Sequence, residues 1–143
     1  MRIDRARLQR GAFPYRCEIA TRFSDLDVIG HVNNVAAADI LMEGRNRFLH
    51  HSRIFESERT QLVVASSLIE YAADLLHPQP IEVSVGVLEI GRSSLRLGHI
   101  AWQNGRTAVY AEVVQVARDA NGPVPIPDAW RAILEPMRIR PSA

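Results

Sequence analysis

"SDLDVIGHVNN", residues 24–34, places two carboxylates, a glycine, a histidine and two asparagines in eleven positions. A connection between two elements needs only a few turn residues. The chain before it, "YRCEIATRF" (15–23), alternates at Tyr15, Cys17, Ile19 and Thr21, which predicts a strand. The chain after it runs from Asn34 to about His51 without proline, and only Gly44 interrupts it. Val35, Ala38, Leu41, Met42, Arg45, Phe48 and Leu49 fall near helical spacing there. Such a helix is about 27 Å long at ~1.5 Å per residue, as long as a small domain is wide.

Outward from this loop the chain punctuates itself. "QLVVASSLIEYAADL" (61–75) is ambiguous by period, but Val63, Val64, Ile69 and Tyr71 favour a strand. "HPQP" (77–80) is a loop, because its prolines lack backbone donors. "IEVSVGVLEI" (81–90) sets Ile81, Val83, Val85 and Val87 on one face. "GRS" turns the chain into a strand over 94–103, and "NG" at 104–105 is a strong hairpin signal before the strand 106–119. "PDAWRAILEPM" opens on a proline suited to a helix start. One long helix after a first strand, then four strands in a meander, predicts an α+β fold with an antiparallel sheet. A sheet curled round the helix would bury it on most sides, which accounts for Ala36, Ala37 and Ala38.

Composition excludes several classes. All 17 basic residues are arginine, so neither a Schiff-base lysine nor a P-loop is available. The formal net charge of +1 offers no global attraction to nucleic acid or to an anionic membrane. Trp102, Tyr110 and Trp130 read as core or interface residues. Cys17 is the only cysteine, which rules out an internal disulfide. No apolar run approaches the ~20 residues of a membrane span. His50 and His51 complement the helix dipole at its end, and no spaced ligand completes a metal site there. We expect a single domain over 1–143, with 1–12 a flexible basic tail, in the cytoplasm.

The loop's chemistry has two readings. A helix starting near Asn33 or Asn34 presents unpaired N–H groups and a dipole that favours negative charge. Asn33 is a good N-cap type, and Gly30 permits backbone that a side chain forbids. Asp27 then lies close to a helix N-terminus, the pairing that acyl transfer needs. Alternatively Asp25, Asp27 and Asn33 simply cap turns.

"TRFSDLDVIGHVNN" followed by "MEGRNRFL" (42–49) resembles the hotdog-fold acyl-coenzyme A thioesterases of the hydroxybenzoyl-coenzyme A thioesterase type. The pattern D-x-D-x-x-G-H-V-N-N carries the resemblance. "IGRSSLRL", the "NG" hairpin and "IPDAWRAIL" extend it over about 14 to 135. It implies a five-stranded antiparallel sheet wrapped round the helix, working as a homodimer or homotetramer without a cofactor. It implies Asp27 as the catalytic carboxylate and an amide at Asn34 as the donor that polarises the thioester carbonyl. Gly30 and His31 of the same loop are candidate substrate contacts; His31 alternatively orients Asp27 or hydrogen-bonds within the turn. The turn of Arg92 and Ser93 falls near the coenzyme A phosphates, often from a neighbouring subunit, and arginine's planar fork suits phosphate. Two features depart from the pattern. "VAAADILM" (35–42) lacks the aromatics that often follow the asparagines, and Asp39 and Glu43 offer the helix carboxylate that another subclass uses. Glu43 with Arg45 matches the family's helix pattern and reads as structural. The carrier is coenzyme A or acyl carrier protein. The alternatives are a hotdog enoyl-thioester hydratase and a non-catalytic acyl-thioester binding or scaffold protein.

Overall fold

A computed structural model of the chain describes residues 2–57 and 59–141. Its main elements are β1 (Tyr15–Ile19), α1 (Asn34–Ser52), α2 (Ile54–Ser57), β2 (Gln61–Tyr71), β3 (Ile81–Ile90), β4 (Ser94–Gln103), β5 (Arg106–Asp119), β6 (Gly122–Pro123) and α3 (Asp128–Leu134). The five long strands pair in the order β1-β3-β4-β5-β2, every pair antiparallel, and β6 adds to β5. Asn104 and Gly105 both take positive φ, as a tight primed turn requires, and close the β4–β5 hairpin. This is the expected α+β architecture, a curled antiparallel sheet holding one long helix, but the expected four-strand meander is corrected: β2 lies beyond β5 rather than beside β3, and only β3, β4 and β5 run as a meander.

Helix α1 begins where a side chain completes its first turn. The Asn33 Oδ1 accepts from the Ala36 N–H at 2.8 Å. It ends at Arg53, whose φ of 62° is left-handed. Ala36, Ala37, Ile40, Leu41, Gly44, Arg45, Phe48 and Leu49 form its buried stripe, repeating at three and four residues. Gly44 permits the closest approach: a Cβ there would lie 2.4 Å from the Val83 Cγ1. The expectation of burial on most sides is corrected. Val35 and Met42 are exposed, as are Asp39 and Glu43. The reason is placement. Helix α1 packs against β1, β3 and β4, while a cavity separates it from β2 and β5.

Two strands are shorter than expected. β1 stops at Ile19, and Phe23–Asp25 form a 3-10 turn leading into the loop. β2 stops at Tyr71, because the Ala72 and Ala73 N–H groups both turn to the Ala108 carbonyl.

The flexible tail expected over 1–12 is also corrected for the described residues. Ile3, Leu8 and Phe13 are buried on the convex face of the sheet with Leu88, Ile100 and Ile139. Arg5 pairs with Glu70 at 3.0 Å, and Arg10 with Glu82 at 2.8 Å. Arg10 also lies 4.7 Å above the Trp102 ring. Gly98 makes room, since a Cβ there would stand 2.9 Å from Leu8 and 2.7 Å from Ile139. Charge spacing masked three apolar anchors, each five residues apart. Leu8→Ala should cost about 3 kcal/mol, the usual range for an enclosed leucine, read as a lowered urea midpoint at unchanged slope.

Candidate functional site

The 24–34 loop is a closed device. Leu26 and Val32 pair as an isolated antiparallel bridge. Inside it the Asp27 N–H donates to the His31 carbonyl at 2.9 Å, and the Gly30 N–H to the Asp27 carbonyl at 3.1 Å. Gly30 sits at φ 89°, the conformation for which glycine was expected. The Asp27 Oδ1 accepts from the Ile29 N–H at 2.9 Å and the His31 N–H at 3.2 Å. The two amides fix one carboxylate oxygen. Among the described residues the other oxygen accepts nothing, and the side chain is exposed.

The two aspartates therefore differ. The Asp25 side chain is buried and takes the Arg22 N–H at 2.8 Å and the Arg22 guanidinium at 2.9 Å. Burial acts to raise its pKa. The hydrogen bonds and charge of Arg22 outweigh burial and hold the carboxyl below the usual range. The Asp25 carbonyl receives both the backbone and the side-chain N–H of Asn33 at 2.8 Å. Asp25 thus braces the helix start, while Asp27 faces solvent beside it.

Asn33 satisfies the Ala36 amide, and the Asn33 carbonyl takes the Ala37 N–H at 2.9 Å. The Asn34 and Val35 amides have no partner among the described residues. They sit at the positive end of α1. The Tyr71 hydroxyl donates to the Asn34 carbonyl at 3.1 Å and ties this end to β2. The His31 ring faces Asp74, with Nδ1 at 3.6 Å. Its backbone, not its ring, orients Asp27. Phe23, Val28, Ile29 and Val35 surround the loop and are exposed.

Asp27, Gly30, His31 and Asn34 are thus brought together. Arg92 and Ser93 are not. They turn the chain at the far end of β3 and β4, about 33 Å along a ten-residue strand. There the Arg92 carbonyl accepts from the Ile126 N–H at 2.7 Å and the Ser93 carbonyl from the Ala117 N–H at 2.8 Å. The Arg92 side chain is exposed.

The helix carboxylates are engaged. Glu43 pairs with Arg47 at 2.6 Å rather than with Arg45, and Asp39 lies 3.7 Å from Arg22. Arg45 is instead buried and makes no ion pair or hydrogen bond among the described residues. It lines a cavity of about 330 Å³ between α1 and the β2–β5 half of the sheet. Asp39, Met42, Val64, Ser67 and Ile69 also line it. The sequence held one signal for this: Arg45 falls four residues after Leu41, on the buried stripe.

A family model described as the thioesterase-like superfamily matches residues 21–134. The chain is 32% identical to a thioesterase from Thermus thermophilus solved with coenzyme A and Zn. The likeness covers 91% of this chain and 98% of that one at a TM-score of 0.80. It is 25% identical to a predicted thioesterase from Bacillus stearothermophilus, over 89% and 98% of the two chains, at a TM-score of 0.81. The uncharacterized protein YsmA of Bacillus subtilis (strain 168) is 29% identical over 90 residues, 62% of this chain. That match spans only 61% of YsmA's length. With the loop, the curled sheet and the family match over 21–134 in agreement, the chain belongs to the thioesterase-like superfamily as a hotdog-fold member.

Proposed function

We propose that the protein is a thioesterase that hydrolyses acyl-coenzyme A to a free acid and coenzyme A. One observation carries the reading. Two amides fix the exposed Asp27 carboxylate beside the unpaired Asn34 and Val35 amides of a helix N-terminus. The thioester oxygen lies against the Asn34 N–H, where the helix end stabilises developing negative charge. Asp27 supplies the second half, as nucleophile or as general base. As nucleophile it attacks the carbonyl carbon, the C–S bond breaks, the thiolate leaves, and water cleaves the resulting anhydride. As base it takes a proton from the water that attacks. Either route needs only this chain's residues and water. The Ile29 and His31 amides hold the carboxylate in place, and the Gly30 N–H holds the Asp27 carbonyl.

The working unit is a cytoplasmic homodimer or larger homo-oligomer. The outer edge of β2 has no partner strand among the described residues, and long open edges are normally covered. Tyr71 at one end of β2 touches the catalytic loop. Gln61 at the other end pairs with Arg118 of β5, close to the Val116–Ser94 pair that borders the Arg92 turn. Two β2 edges paired antiparallel set the Arg92 turn of one copy near the Asp27 loop of the other. Arg92 and Ser93 then meet the coenzyme phosphates there. The exposed Val28, Ile29 and Val35 gain cover from the second copy and the substrate.

Thiol release from a panel of acyl-coenzyme A esters tests the activity. Turnover of at least one ester is expected, and no release across the panel overturns it. Light scattering at micromolar protein tests the assembly, with a dimer or larger species expected and a monomer counting against it.

A further inference from the structure

Arg45 is 7% exposed and has no counter-ion among the described residues. Its flanking acids are engaged elsewhere, Glu43 with Arg47 and Asp39 with Arg22. His99 is an ionisable neighbour in the core, fully buried. Burial first, and the charge of Arg45 second, hold the His99 pKa at about 3, so this imidazole is neutral. Burial likewise lowers the pKa of Arg45 itself. A buried cation left without a partner is among the costliest features a fold can carry. The guanidinium lines the cavity, where an anion from outside the chain can reach it.

The cavity says what kind of anion fits. Met42, Val64 and Ile69 give it apolar wall, Asp39 and Ser67 add polar groups, and Arg45 is its one cation among the described residues. Along α1 its lining runs from Ala38 to Arg45, starting about one turn beyond Asn34. Tyr71 meets Asn34 at the catalytic end, and Val64 accompanies Arg45 at the other. Eleven residues separate Asn34 from Arg45, about 16 Å along the axis. Long helix side chains as a rule lean toward the helix N-terminus, which would bring the span to the guanidinium to about 10 Å. An extended acyl chain of medium length reaches across it.

We propose that Arg45 is the anion receptor of the acyl pocket, and that the preferred substrates are thioesters whose acyl group ends in a carboxylate, the monothioesters of medium-chain dicarboxylic acids. This rests on the thioesterase reading for the hydrolysis but not for the binding. The methylenes fill the apolar length, and the distal carboxylate pairs with the planar guanidinium.

The test compares two non-hydrolysable thioethers, S-(ω-carboxypentyl)-coenzyme A and S-hexyl-coenzyme A, by calorimetry on the full chain. Wild type should bind the carboxylate form about tenfold more tightly, the scale of one charge-assisted hydrogen bond. Arg45→Met should erase that preference, and Arg45→Lys should retain part of it. Arg45→Gln serves if the methionine variant does not fold. Equal binding by wild type, or a preference that survives in Arg45→Met, overturns the assignment. The melting temperature without ligand provides a second readout. Arg45→Met should melt at or above wild type, because an unpaired charge has gone. A lower melting temperature with loss of the dimer would identify a partner-subunit carboxylate as the counter-ion and overturn the proposal. Turnover of adipoyl- and hexanoyl-coenzyme A is read in parallel. A binding preference with no turnover of either keeps the Arg45 site and removes the thioesterase reading.

Discussion

Asp27→Asn should lower the turnover of the best acyl-coenzyme A ester by roughly 100-fold or more, the scale on which a catalytic acid–base group acts. The melting temperature should hardly move. An asparagine side-chain oxygen still accepts from the Ile29 and His31 amides that hold Asp27, and the two residues serve turns and caps about equally. What is lost is the carboxylate itself, as nucleophile or base. Steady-state kinetics beside a thermal melt separate the two effects. Full activity in Asp27→Asn would falsify the mechanism and move attention to Asp39, the helix carboxylate on the cavity wall. Asp25→Asn gives the opposite signature. It should weaken the fold, because the carboxylate is buried against Arg22. The pH profile carries the sign. The folded pKa of Asp25 is lowered, so its contribution is present above the ordinary aspartate pKa. That contribution is lost as pH falls through the lower folded value. Wild type should therefore lose stability more steeply on acidification than Asp25→Asn does.

Gly44→Ala should cost about 2 kcal/mol or more of stability, although alanine is a better helix former by about 1 kcal/mol. The added Cβ would lie 2.4 Å from the Val83 Cγ1 and 2.9 Å from its Cβ. Val83 is fully buried in the middle of the sheet and cannot swing aside. The helix must lift instead, and it carries the Asn34 amide with it. Urea denaturation reads the stability. Pairing Gly44→Ala with Val83→Ala should recover part of the loss, since the second change removes the atoms in collision. A Gly44→Ala variant as stable as wild type would mean that α1 does not sit as close to β3 as the structure has it.

Local signals made much of this molecule legible. The Asn33 cap, Gly30 and the Asn104–Gly105 turn each act within a few residues, and each behaves as its residue type implies. The odd residues of β3 alternate inward as a period of two requires. What stayed hidden depends on where elements lie in space. Nothing in the composition of α1 says that it rests on β1, β3 and β4 and leaves the other half of the concave face open. Arg45 therefore read, with Glu43, as part of a structural helix pattern, when it lines the cavity and Arg47 holds Glu43. The arginine-rich start read as a tail because Ile3, Leu8 and Phe13 show no strand or helix period. Their partners, Leu88, Ile100 and Ile139, come from the far side of the chain.

That convex-face layer also sets an order of events in time. The Arg140 N–H donates to the Ala12 carbonyl at 2.9 Å, and the Arg140 guanidinium reaches the Gly11 carbonyl across 129 positions of sequence. The β3–β4 and β4–β5 hairpins form from neighbours, whereas this closure needs both ends of the described chain at once. Contacts of such separation form slowly, because a long loop must be ordered first. Ile3, Leu8 and Phe13 stay uncovered on one side until the distant segment of Ile139 joins their cluster. Among the described residues the outer core is thus late to close, and until it does those side chains present apolar surface to other chains.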